Sequence, residues 1–299
     1  MSAPMSIALA LDHVGVCARD LGPMVAAYEK LGFSLSPIAQ QSGRRSPDQP
    51  VEQFGTGNRC AFLRHGYIEL LAILDPALFD NQLGGFLSRY TGLHILALGV
   101  ADAEANLTRM QAAGIPIKGV AWLERPVEKG DPRHAKFARL PLPDAAEGRI
   151  QLIQHLTPEL IWQPRWMDHA NKADALVALV MAAENPADVA TRFSRLSGVP
   201  FEPDPAGGFR LRFPGGERVA GPEAPVMETV VRILEPAALP QVLPGVTAPA
   251  LPFMAGMVIR TSDGNAAVRG LGLPLVETPD GGLMVAPEHA AGAAVVFVP

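Results

Sequence analysis

Hydrophobic positions along the chain change period four times in the same way. Residues 11–33 (LDHVGVCARDLGPMVAAYEKLGF) open on an apolar run suited to a strand. They then pass to helical spacing at Met24, Val25, Tyr28 and Leu31. Asp20 is a natural helix N-cap and Gly32 a natural left-handed stop. The pattern returns at 93–115 (cap Asp102, stop Gly114), at 176–199 (cap near Asn185, stop Gly198) and at 256–273 (cap near Asp263, stop Gly272). Caps at 20, 102, 185 and 263 lie 82, 83 and 78 residues apart, too long a period for a solenoid and suited to a small βα module. Strand-like runs ending in an X-Pro step at 67–76, 149–158 and 229–236 close three of the units. The predicted unit is strand, helix and two or three further strands, so the fold class is α+β with four βαβββ modules.

Between these signals lie weaker ones. Residues 33–38 read as a second strand and the polar, Pro-bearing 39–54 as an exposed loop. The segment 54–74 reads as a hairpin turning at Arg64-His65-Gly66, and 75–91 as a linker with a short helix. The charged segment 122–136 reads as a flap over a site, and 157–174 as the connection between two halves. Residues 1–165 are thus expected to form one two-module domain and 166–299 a second.

Composition narrows the class. With 299 residues, 48% hydrophobic and 18% charged, the chain has material for a sizeable core. A net charge of −5 without a basic cluster argues against nucleic acid. No apolar run has membrane length and the N-terminus lacks a signal pattern, so a cytoplasmic protein is expected. The two cysteines, Cys17 and Cys60, fall in predicted strands and read as reduced, buried thiols.

Repeat alignment brings out the candidate chemistry. His13 lies seven residues before its cap and His94 eight before its own; Glu69 and Gln151 each lie six residues before the residue that precedes the closing proline. The same places in the second half carry Val177/Ala178, Ala255/Gly256, Thr229 and Gly292. Two imidazoles and a carboxylate are a facial triad for Fe(II), Mn(II), Ni(II), Co(II) or Zn(II), with Gln151 a weaker fourth donor. Glu69, inside IELLAI, needs a partner, a metal or a cavity to remain charged. The offset of seven against eight would place the two histidines on opposite sheet faces unless a bulge absorbs one residue.

At these residues the chain resembles the glyoxalase/bleomycin-resistance/extradiol dioxygenase (vicinal oxygen chelate) superfamily. LDHVGVCARDL is similar to its opening strand and helix start; FGTGNRCAFL with GYIELLAI, and QHLTPELIW with HAN at 169–171, are similar to the glyoxalase-like domain branch. The resemblance implies paired modules forming mixed, cup-shaped sheets, and a divalent metal on His13, Glu69, His94 and Gln151. It implies a lyase, isomerase or dioxygenase acting on a small oxygen-bearing substrate. The alternative is a metal-free sequestration protein with a cup lined by Phe62, Phe86, Trp122 and Phe137. Glyoxalase I carries a glutamate ligand and base at the place of Gln151, and glutamine cannot accept a proton. His155, on the same strand face as Gln151, and Tyr67 are the candidate replacements as acid or base. The superfamily closes its cups within one chain or across a dimer, and both arrangements, a homodimer included, stay open.

Overall fold

The computed structural model describes residues 7–44, 49–128, 130–142, 145–217, 219–222 and 226–299. Among the described residues sixteen strands form one mixed sheet: β1 (Ala8–Ala18), β2 (Ala39–Gly43), β3 (Glu52–Phe62), β4 (Tyr67–Ile73), β5 (Gly92–Val100), β6 (Ala121–Pro126), β7 (His134–Pro141), β8 (Arg149–His155), β9 (Ala173–Ala182), β10 (Phe201–Pro203), β11 (Phe209–Phe213), β12 (Thr229–Leu234), β13 (Phe253–Thr261), β14 (Leu275–Glu277), β15 (Leu283–Val285) and β16 (Ala294–Val298). Helices α1 (Leu21–Lys30), α3 (Ala103–Ala112) and α4 (Pro186–Ser197) follow the opening strands of the first three modules, and α6 (Ala266–Gly270) that of the fourth. Two shorter helices, α2 (Leu83–Leu87) and α5 (Leu239–Val242), lie in connections. Within each half the strands run in matching order, β2-β3-β4-β1-β5-β8-β7-β6 and β10-β11-β12-β9-β13-β16-β15-β14. A bridge from Leu93 of β5 to Met254 of β13 joins them. Among the described residues no helix is long and apolar enough to cross a membrane.

The caps explain why the modules start and stop where they do. Asp20 accepts from the Gly22 N–H at 2.9 Å and Asp102 from the Ala105 N–H at 2.9 Å. Gly32 and Gly198 hold φ of 87° and 75°, conformations that end α1 and α4 without a side-chain penalty. Every residue of β1 and β5 is buried, because helices cover one sheet face and the curled sheet encloses the other. Leu11, Val14, Val16, Leu96, Leu98, Ile150 and Leu152 join the helix-side core, which continues into the second half.

Two connections differ from the sequence reading. Residues 33–38 form no strand; the strand is β2, inside the segment read as a loop, of which residues 45–48 lie outside the described set. β2 is a polar edge strand held by backbone pairing to β3 and by polar bonds of Gln40 and Gln41, so it carries no hydrophobic alternation to betray it. The flap expected at 122–136 is the β6–β7 hairpin, with Lys129 outside the described residues and Trp122 60% exposed. The expected hairpin at 54–74 is present as β3 and β4.

The seam between β1 and β5 is interrupted by bulges. Leu11 pairs with Leu98 and His13 with Ala97, leaving Asp12 extra; Gly15 pairs with Ile95 and Val16 with Leu93, leaving His94 extra. A Cβ on Gly15 would meet the Ile95 side chain at 2.6–2.8 Å. Gly15→Ala should therefore cost about 1–3 kcal/mol in urea unfolding, and Ile95→Ala in the same chain should recover part of it. Strictly additive single and double variants would contradict this packing.

Candidate active site

The inner face of the first half is assembled from alternate residues. His13, Gly15 and Cys17 of β1 lie beside Tyr67, Glu69 and Leu71 of β4, in the parallel register His13–Tyr67 and Gly15–Glu69. Asn58 and Cys60 flank Glu69 from β3. From the other side, Ile95 and Ala97 of β5 lie beside Arg149 and Gln151 of β8. Arg139 and Phe137 of β7 then pair with Ile153 and His155. Phe62, Tyr67, Phe137, Ile153 and Trp162 pack into one cluster, with Trp162 brought over the cup by the turn at Pro158–Leu160.

Asp12 is the centre of this face. Its carboxylate has no solvent exposure, accepts from His13 Nδ1 at 2.6 Å, and lies 3.1–3.2 Å from His155 Nε2. Burial alone would raise its pKa, but the two imidazoles outweigh burial and hold the group well below the usual carboxylate range. A carboxylate only accepts, so both imidazoles donate to it. In their neutral forms that assigns His13 the Nδ1–H tautomer and His155 the Nε2–H tautomer, with the lone pairs on His13 Nε2 and His155 Nδ1. Among the described residues His155 Nδ1 is buried with no partner. Its ring stands edge-on to Trp162 (4.6 Å between centroids), Phe137 (5.3 Å) and Tyr67 (6.3 Å), while His13 stacks on Tyr67 at 4.3 Å. Burial, reinforced by Asp12, Cys60 and Glu69, keeps the Tyr67 hydroxyl protonated, so it acts as a donor rather than a base. A cleft of about 210 Å³ reaches Asp12 and His155 from outside, with Glu217, Val219 and Ala220 of the second half as its far wall.

The expected metal set divides. His13, Glu69 and Gln151 share the cup face; His94 does not join them. Asp102 lies 82 residues after Asp20, and the same offset from His13 leads to Ile95, which fills the matching place on β5. His94, the bulge residue, instead stacks on Tyr90 (4.0 Å) and Phe86 (5.5 Å), and its Nε2 donates to the Tyr90 carbonyl at 2.9 Å. Asn58 donates to Glu69, and Gln151 Oε1 accepts from Arg139 at 3.4 Å. Among the described residues no three His, Cys, Asp or Glu side chains gather as a metal-holding group. One imidazole, one carboxylate already bonded to an amide and one glutamine beside an arginine do not fit a divalent ion of the kind expected. Of the expected aromatic lining, Phe62 and Phe137 are in the cup, Phe86 packs on His94 and Trp122 is on the outside.

In the second half, register places Ala178, Arg232, Gly256 and Val296 where the first half has His13, Glu69, Ile95 and Gln151. Thr229, the residue expected opposite Glu69, turns the other way and accepts from the Leu11 N–H at 2.7 Å. Arg232 is tied to Asp204 by two bonds of 2.7 and 2.8 Å, and a cluster including Val180, Leu234, Phe253 and Met284 fills the cup.

With this fold and site in view, the class is that of paired βαβββ modules enclosing a cup. A family model for the glyoxalase-like domain matches residues 11–197, and the chain belongs to that family. No functionally curated protein matches it in sequence. Solved structures share the fold over nearly the whole chain. A hypothetical protein from Staphylococcus aureus is 13% identical with a TM-score of 0.59, over 97% of this chain and 99% of that one. A mutant of 4-hydroxymandelate synthase from Streptomyces coelicolor is 10% identical with a TM-score of 0.58, over 98% and 93%. An Mn(II)-bound glyoxalase from Novosphingobium aromaticivorans is 12% identical with a TM-score of 0.53, over 97% and 82%. At these identities the likeness is one of fold.

Burial lowers His94 and His65 from 6.5 to about 4. Between those values the unfolded chain binds more protons, so stability falls as pH drops from about 6.5 to about 4, by up to ~1.4 kcal/mol per pH unit for each histidine. His94→Gln should reduce this slope in denaturant titrations. An unchanged slope would show that His94 charges freely in the fold.

Proposed function

We propose that the first-half cup is the active site of a small-molecule enzyme that moves protons with His13 and His155, both held by Asp12. The observation that carries this reading is the fully buried carboxylate engaged by two imidazoles, one of which keeps an unpartnered lone pair inside an aromatic enclosure. Asp12 fixes each tautomer and stabilises the imidazolium formed when a proton is taken, as the aspartate does in a Ser-His-Asp triad. His155 Nδ1 is the base for a proton next to a substrate carbonyl, and the Tyr67 hydroxyl is a donor to the oxygen on which charge develops. Gln151, unable to take a proton, orients the substrate. This is the isomerase or lyase branch of the chemistry that the fold family hosts. It contains no metal step, because His13, Glu69 and Gln151 do not complete a site without His94, and Asp12, His13 and His155 are bonded to one another.

A panel of small ketones and 2-oxo acids serves as the probe. In D2O with a chelator present, wild-type protein should exchange the carbon-bound protons beside the carbonyl in some members of the panel, followed by NMR. Asp12→Asn and His155→Gln should slow this by about 10²–10⁴-fold. Exchange that vanishes with chelator, or that survives both substitutions, would overturn the reading. A binding role without turnover is the second reading, supported by the aromatic lining of Phe62, Tyr67, Phe137 and Trp162. Ligand-dependent thermal shifts without any exchange would favour it.

A further inference from the structure

Positive charge on the cup wall exceeds its negative counterpart. Arg139 faces inward from β7 and Arg149 from β8, and the charges of Arg149 and Glu69 both act on Arg139. Arg125, on β6, lies over the Phe137 ring at 5.9 Å, and its charge acts on Tyr67 and Cys60. Against these three guanidiniums the cup offers two carboxylates, Asp12, already engaged by His13 and His155, and Glu69, already bonded to Asn58. Among the described residues none of the three arginines makes an ion pair. Arg139 reaches only the Gln151 amide oxygen at 3.4 Å, and Arg149 the Asn81 carbonyl at 2.8 Å. Among the described residues two donors of this wall are buried with no acceptor, Arg139 Nε and the indole Nε1 of Trp162, the latter on a side chain only 2% exposed. A buried guanidinium edge and an indole N–H without acceptors are costly to maintain, and a ligand carboxylate supplies what both lack. The planar Arg fork suits a carboxylate in particular.

We infer that this wall is an anion subsite, and that the molecule turned over in the cup carries a carboxylate seated on Arg139, with Trp162 as a further donor. Arg149 and Arg125 add attraction without direct contact, and Glu69 keeps the wall from binding polyanions. The inference rests on the reading of the cup as a substrate site. It adds the substrate class: a small organic acid whose reactive carbon is presented to His155.

Oxamate and oxamide differ little in shape and differ in charge, so they isolate the anion term. In calorimetric titrations of the full chain, oxamate should bind at least about tenfold more tightly than oxamide and more tightly than inorganic phosphate. Arg139→Met should abolish that preference, and Arg139→Lys should retain part of it, since the charge stays and the fork is lost. The Lys variant keeps the test open should the Met variant fail to fold. Equal affinity for oxamate and oxamide, tighter binding of phosphate, no saturable binding of oxamate, or full preference in the Lys variant would each overturn the subsite. Carbon-proton exchange by the wild type that survives alongside any of these results would leave the proton-transfer reading standing. Oxamate preference without exchange would remove that reading and keep the anion site.

Discussion

A carboxylate without solvent access survives in a protein interior only where donors surround it, and Asp12 is the point on which the proposed chemistry depends. Its two donors come from opposite ends of the first half: His13 from the next position on β1, His155 from the end of β8, 143 residues away. The bond between them ties the opening strand of module one to the closing strand of module two. The same contact sets which imidazole nitrogens carry protons, so the interaction that satisfies a buried charge also underlies the proposed proton transfer.

What lets Asp12 take part is a departure from regular pairing. In an unbroken strand Asp12 and His13 would face opposite sides, and the carboxylate would be driven among the leucines under α1. The bulge in β1 turns it toward the cup. A second bulge, in β5, acts in the other direction: Ile95 takes the inward place that matches His13, and His94 moves away to stack between aromatic rings. Two single-residue irregularities in one seam thus go with Asp12 at the cup and with His94 stacked between aromatic rings away from it.

The modules, their caps and the β3–β4 hairpin are legible in the sequence because each is a local signal: an Asp or Asn before a helical period, a glycine after it, a run of alternating residues. Glu69, His13 and Gln151 are legible as cup residues for the same reason, since period-two counting from a proline or a cap needs no tertiary knowledge. The same counting puts His94 on the opposite face unless a bulge absorbs one residue; the bulge is there, but Ile95 keeps the inward place and His94 turns to Tyr90 and Phe86. Asp12 escapes the counting, although the cue that singles out Glu69, a carboxylate in an apolar run, applies equally to ALALDHVGV. Arg139, Arg149 and Trp162 reach the cup through long-range pairing and a turn after β8, information that no local pattern holds. The equivalents in the second half are displaced too: Arg232 and Val296, rather than Thr229 and Gly292, occupy the matching places, because β12 and β16 run closer to their closing prolines than β4 and β8 do, which shifts a count made back from the proline.

The most direct test is the ¹⁵N spectrum of the histidine side chains near neutral pH. The structure predicts slowly exchanging imidazoles with His13 protonated at Nδ1 and His155 at Nε2, and loss of both fixed tautomers in Asp12→Asn. Averaged tautomers for both rings in the wild type, or spectra that Asp12→Asn leaves untouched, would contradict a carboxylate-linked histidine pair.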